Sequence, residues 1–269
     1  VAFLGNFTVD LFASTLVTRA LSSRVLVQPY VGALDTWAQE LLDPQSDLDG
    51  FDPHVVILPL RLEILNPRFD QGLLELSPAE VEEEITAVGS QISDCLSAFR
   101  ARSDAKVLLH TFPRPAHPVL GIIDAQQPTG QSPAIDRLNR RLVEMSGNVP
   151  DVFLVDSDRL MASVGDSAWT DHRMMAYARM PFAAKAIHAC CNEYTKYLRA
   201  FTGAVRKVLV LDLDNTLWGG IVGEDGPEGI RLDESPLGAG YRDLQKLILQ
   251  LHHRGVVLAI NSHNNQEDV

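Results

Sequence analysis

Lys207–Gly220 reads KVLVLDLDNTLWGG, and the rest of the chain is understood from this stretch outward. Lys207–Leu211 is a short, mostly apolar run, the pattern of a strand buried on both faces of a parallel sheet. It delivers two aspartates, Asp212 and Asp214, one residue apart. Strand side chains alternate, so both carboxylates are expected on one side if the strand geometry persists that far. Asn215, Thr216, Gly219 and Gly220 follow, which reads as the strand breaking into a turn. Two like charges at the open end of a buried strand are costly unless a cation or a shared proton compensates them. A hard divalent ion such as Mg²⁺ meets that need with few protein ligands, completed by water and phosphate oxygens. The plainer alternative is an Asp-x-Asp pair that closes a strand for turn or capping reasons.

Beyond the turn, Gly223–Gly229 is polar and acidic, suited to a flap beside the carboxylates. Pro236–Arg254 reads as a helix with Leu244, Leu247, Ile248 and Leu251 inward and Gly255 as its C-terminal cap. Val256–Ile260 is the next buried strand, and Ser262 lies just past its end. In a parallel sheet that puts Ser262 level with Asp212, on one edge.

The string DLDNT resembles motif I of the haloacid dehalogenase (HAD) superfamily. The longer string DLDNTLWGGIVGEDG, Asp212–Gly226, resembles the FkbH-like branch of it. The resemblance implies that Asp212 is the nucleophile that takes a phosphoryl group, that Asp214 is the general acid/base, and that both hold Mg²⁺. A carboxylate that divides one hard displacement into two through an aspartyl-phosphate is sound chemistry. Ser262 corresponds to the phosphoryl-binding hydroxyl of motif II, and Thr216 and Asn264 are counted with it as phosphate-binding. The usual tail resembles SKNN; here it is Ser262-His263-Asn264-Asn265, with His263 in the lysine-like position. The resemblance also implies a later lysine and a later acidic pair. About sixty residues is too few for an independent core of this type, so the chain is expected to continue or to have been trimmed.

The first part of the chain alternates strand and helix. Strands are expected at Val1–Gly5, Val25–Gln28, Val55–Leu60, Val107–His110 and Val152–Val155. Helices are expected over Val9–Ser22, with Leu11, Leu16 and Ala20 inward, over Leu34–Leu42 around Trp37, over Pro133–Met145 and over Ala183–Phe201. Ser77-Pro78-Ala79-Glu80 starts another with a capping signature, followed by the stripe Val81, Ile85, Val88, Ile92, Leu96 and Phe99. Asp43–Pro53 reads as a polar loop. The expected fold class is α/β with a doubly wound parallel sheet. Any site falls along the edge after the strands, where Asn6, Arg61, His110 and Thr111 stand.

Residues 1–203 resemble the SGNH-hydrolase-like domain that precedes the HAD domain in FkbH-like proteins; residues 204–269 would then begin a Rossmann-like HAD domain. Leu4–Thr8, LGNFT, stands where an SGNH enzyme carries its Gly-Asp-Ser block, yet it has no serine in register. Neither His172 nor His188 completes an Asp-x-x-His. Nucleophile, base and orienting group must all be in reach, so this domain is expected to lack hydrolase activity.

A net charge of −12 and a pI near 5.0 argue against nucleic acid or an anionic membrane as partner. Three cysteines without metal-ligand spacing, and no apolar run of spanning length, point to a reduced, cytoplasmic protein. Cys190, Cys191 and Trp169 read as core, His252 and His253 as exposed, and Arg61 and Glu63 as a surface ion pair. Arg137, Arg140 and Arg141 form the densest basic patch, either an ordinary solvated helix face or a landing place for an acidic partner.

The resemblance implies an enzyme that moves a glyceryl unit from 1,3-bisphosphoglycerate to an acyl carrier protein thiol, with loss of phosphate, in polyketide biosynthesis. The alternatives are a Mg²⁺-dependent phosphatase acting on another small phosphate and a non-catalytic module that docks a carrier protein.

Overall fold

The computed structural model describes residues 1–70 and 72–264. The chain forms two compact units, Val1–Phe201 and Thr202–Val269.

The first unit runs β1 (Ala2–Phe3), α1 (Asp10–Ser22), β2 (Tyr30–Val31), α2 (Trp37–Leu42), α3 (Asp47–Phe51), β3 (Val55–Leu58) and α4 (Leu62–Leu65). It continues with α5 (Pro78–Arg100), β4 (Lys106–His110), α6 (Gln131–Asn148), β5 (Val152–Val155), α7 (Ser157–Val164), α8 (His172–Ala178) and α9 (Ala184–Phe201). All five strands are parallel, in the order β2-β1-β3-β4-β5. This is the doubly wound arrangement, whose strand order reverses between β1 and β3.

The strand period of two sorts the core into two layers. Ala2, Val56, Leu58, Val107, Leu109 and Val152 face α2, α5 and α6. Phe3, Val55, Ile57, Leu108 and Val155 face α1, α7 and α9. Helix α5 carries the expected stripe, with Val81, Ile85, Val88, Ile92, Leu96 and Phe99 all buried. Its start is a full capping box: the Ser77 hydroxyl accepts from the Glu80 amide, and the Glu80 carboxylate accepts from the Ser77 amide. Cys190, Cys191 and Trp169 are core residues, as expected.

Three local expectations are corrected. Val25–Gln28 is not a strand: Val25 and Val27 are buried and Leu26 is 89% exposed, but the segment makes no ladder. Pairing begins only at Tyr30, opposite Ala2, because β1 offers this edge two residues. On α1 the inward set is Phe12, Ala13, Leu16 and Ala20, while Leu11 faces solvent. The Asp43–Pro53 loop contains the helical turn α3, which buries Leu48.

The second unit contains β6 (Val208–Leu211), α10 (Val222–Asp225), α11 (Pro236–His253) and β7 (Val257–Ile260). β6 and β7 are parallel, with Leu211 opposite Ile260. The expected burial on both faces does not hold. Val208, Val210, Val257 and Ile260 are each more than half exposed, as is Leu247 on α11, and Leu244 is also exposed. Among the described residues the unit has one long helix, α11, and one helix cannot layer both faces of a sheet.

Candidate active site

The apolar strand β6 ends at Leu211, and the chain turns sharply there. The Leu213 carbonyl accepts from the amides of Thr216 (3.1 Å) and Leu217 (2.8 Å), while the Leu213 side chain is buried beneath. Asn215 has φ +54°, a left-handed conformation that asparagine tolerates better than most residues. Its side-chain oxygen accepts from the Gly220 amide at 3.0 Å and closes the loop.

This turn gives the two aspartates different surroundings. Asp212 is exposed; one oxygen accepts from the following Leu213 amide (2.8 Å), and the other makes no hydrogen bond among the described residues. Asp214 is half-buried. Its Oδ1 accepts from Trp218 Nε1 (3.0 Å) and the Val222 amide (3.2 Å), and its Oδ2 accepts from Asn264 Nδ2 (2.9 Å). Burial works against charge on Asp214. The donors from Val222, Asn264 and Trp218 outweigh it and hold the carboxyl below the usual carboxylate range. Asp214 is therefore an anion at neutral pH.

The end of β7 supplies the third donor. The Asn261 amide continues the ladder to the Leu211 carbonyl at 2.8 Å, so the segment after it lies beside the carboxylates. The Ser262 hydroxyl donates to the Asn264 side-chain oxygen, which orients the amide so that its NH₂ faces Asp214. Ser262, Asn264 and Asp214 thus form one chain of hydrogen bonds. Asp212 shares no partner with them. Thr216 is half-buried, and its hydroxyl bonds to nothing among the described residues. His263 is exposed, and Asn265 lies outside the described residues.

The stretch Gly223–Gly229, read as a flap, begins inside a short helical turn. α10 covers Val222–Asp225, and its approach is fixed by Asp225 Oδ2, which accepts from the Ile221 amide at 2.9 Å. Trp218 and the Val222 amide are contacts that sequence reading missed. Trp218 lies four residues after Asp214, one turn on, which was the available signal.

The fit to Mg²⁺ follows from the donor set. Both carboxylates offer hard oxygen ligands, and Asp212 keeps one oxygen uncommitted. No third acidic, histidine or cysteine side chain joins them among the described residues. That sparse set suits Mg²⁺, which binds through one or two carboxylates with water and phosphate completing its shell.

In the first unit, the edge where strand order reverses carries Asn6 and Arg61. Asn6 is buried and clasps β1 to β3: its Nδ2 donates to the Arg61 carbonyl (2.8 Å), and its Oδ1 accepts from the Arg61 amide (2.9 Å). Thr8 donates its hydroxyl to the Ala178 carbonyl at 2.6 Å. Arg61 pairs with Glu63 and lies over the Phe182 ring. His110 is buried between Ser157 (3.1 Å) and Tyr194 (2.6 Å), and burial pushes its pKa down to about 3. Asp171 caps α8 through the Arg173 and Met174 amides, while His172 is exposed. These polar groups are engaged in holding the fold. Burial also raises the Cys190 thiol and pushes Cys191 up to about 12, so neither is a thiolate at neutral pH.

Fold and site together describe an α/β protein with a doubly wound parallel sheet, followed by a strand-turn unit that presents an acidic pair. The chain belongs to the FkbH N-terminal domain family, whose sequence profile matches residues 1–196. Among solved structures it resembles the crystal structure of the N-terminal part of the Bacteroides fragilis protein BF1531, described as containing a phosphatase domain complexed with Mg. The likeness has a TM-score of 0.80 at 20% identity and covers 99% of this chain and 69% of that one, so it speaks to the fold. No curated protein matches. No described helix is long and apolar enough to cross a membrane.

Proposed function

We propose that this chain is part of an FkbH-like enzyme that handles phosphate through Asp212. In this reading it serves the transfer of a glyceryl unit from 1,3-bisphosphoglycerate to an acyl carrier protein thiol, with loss of phosphate. The carrying observation is the asymmetry of the acidic pair: Asp212 is exposed with a free oxygen, whereas Asp214 is held ionised by three donors. A free carboxylate oxygen is the nucleophile such chemistry needs. It attacks phosphorus as the bond to the leaving oxygen breaks, giving an aspartyl-phosphate. Asp214, unprotonated, then takes the proton of the water that releases phosphate. Thr216 carries the hydroxyl free to donate to a phosphoryl oxygen; the Ser262 hydroxyl would do so by turning from Asn264, which positions Asp214. Bound Mg²⁺ would neutralise charge on the phosphoryl group, held by Asp212 and Asp214.

The family context supports a carrier-protein partner. The basic patch on α6 supports it less than its sequence did, because Arg137 (2.5 Å) and Arg141 (3.6 Å) both pair with Glu82 of α5.

Asp212→Asn keeps the shape and removes the nucleophile. In the full-length protein with Mg²⁺ it should lower phosphate release from an aryl phosphate by at least about a thousandfold, with the circular-dichroism spectrum unchanged. Near-normal release by a folded variant defeats the reading. Mass spectrometry of a carrier protein incubated with enzyme and acyl phosphate separates glyceryl transfer from plain phosphatase activity.

A further inference from the structure

Next to the acidic turn lies a recess of about 330 Å³, lined by Asn215, Gly219, Gly220, Asp225, Arg231 and Tyr241. We propose that it binds the anionic, non-reacting end of a small phosphorylated substrate, with Arg231 as the specificity-determining cation; this rests on the phosphate-handling reading of Asp212. The backbone builds the recess. Gly219 and Arg231 face each other in an antiparallel bridge, Arg231 N to Gly219 O at 2.7 Å, which fixes where the arginine side chain starts. A Cβ at Gly219 would stand 2.9 Å from the Tyr241 ring and 3.2 Å from Arg231 Cβ. A Cβ at Gly220, whose φ is +103°, would stand 2.9 Å from Asp225 Oδ2. Absent side chains thus keep the space open.

Three of its free polar groups are donors. The Arg231 guanidinium, the Tyr241 hydroxyl and the Asn215 NH₂ make no hydrogen bond or ion pair among the described residues. Of the side-chain acceptors, Asp225 Oδ2 takes the Ile221 amide and Asn215 Oδ1 takes the Gly220 amide, while Asp225 Oδ1 stays open at the rim, with no hydrogen bond among the described residues. Arg231 lends its charge to Asp233 but has no hydrogen-bond partner for its guanidinium among the described residues, and with two neutral donors beside it that suits a carboxylate or a second phosphate. The recess is also tied to the chemistry. Asn215 follows Asp214 directly, and the same loop donates to Asp214 from Trp218 and Val222.

The test compares two probes that share a phosphate, 3-phosphoglycerate with its carboxylate and glycerol 3-phosphate without one. Affinities are measured by calorimetry on the full-length Asp212→Asn protein, where turnover does not interfere. The preference for 3-phosphoglycerate should fall at least about tenfold on adding Arg231→Gln, and Arg231→Lys should restore part of it. An unchanged preference in Arg231→Gln, or no binding of either probe, overturns the proposal. 1,3-Bisphosphopropane, with phosphate at both ends, tells a second-phosphate site from a carboxylate site by whether its affinity shows the same loss. Failure of the phosphate-handling reading shows separately, as retained turnover in Asp212→Asn.

Discussion

Asp214 is held by donors from three places: a side chain four residues on, an amide eight residues on, and a side chain fifty residues away. Each donor favours the charged form, so losing one must raise the carboxyl pKa. Asn264→Ala should therefore move the acidic limb of the pH–activity profile to higher pH. It should also lower kcat/KM at neutral pH by about tenfold or less, the scale of one charge-assisted hydrogen bond. A profile whose acidic limb stays in place would show that Asn264 does not tune Asp214. His110 makes an opposite point about stability. Burial favours its neutral form and lowers its pKa from 6.5 to about 3. The unfolded chain takes up a proton below pH 6.5 that the folded chain refuses. This contribution is therefore complete above pH 6.5 and is lost as pH falls toward 3. Between pH 7 and pH 5 the first unit should lose about 2 kcal/mol in urea denaturation, and His110→Gln should flatten that slope.

At the scale of elements, α5 was the most legible part of the chain. Ser77, Pro78 and Glu80 set its start, and six apolar residues at steps of three and four set its buried face. Both signals are local, and no neighbour has to be known to read them. Glu80 is held below the usual carboxylate range first by its bond to the Ser77 hydroxyl and then by the Ser77 amide. The cap is complete when Glu80 is ionised and weakens as pH falls below 4.5, toward its lowered value. Ser77→Ala should cost about 1 kcal/mol at neutral pH by chemical denaturation, and less near pH 3. Elsewhere the sequence under-determined the result. The Val25–Gln28 segment alternates like a strand, but whether it pairs depends on the length of β1. The acidic turn was legible as a site because a single residue separates Asp212 from Asp214. Arg231 and Tyr241 were not, because a recess built from three separate segments leaves no spacing to read.

Across the whole molecule, the two units differ in how their strands are protected. In the first, β3 and β4 lie inside the sheet with Val56, Ile57, Leu58, Leu108 and Leu109 fully shielded between two helical layers. In the second, β6 and β7 form a two-stranded sheet whose outer residues Val208, Val210, Val257 and Ile260 stay largely exposed. The apolar composition of the two sets is nearly the same, so strand sequence alone made both appear buried. Burial is decided by which layers the neighbouring chain provides, and a two-stranded sheet under one helix is marginal by itself. Amide exchange follows local opening, which is easiest where few apolar contacts must be broken. In the 269-residue chain, β6 and β7 amides should exchange at least about a hundredfold faster than those of β3 and β4, a difference of about 3 kcal/mol in opening free energy. Hydrogen exchange read by mass spectrometry resolves these peptides. Equal protection of both pairs would mean that the second sheet is covered in solution by something other than α11, and the outward faces of Val210 and Ile260 would be the place to look for it.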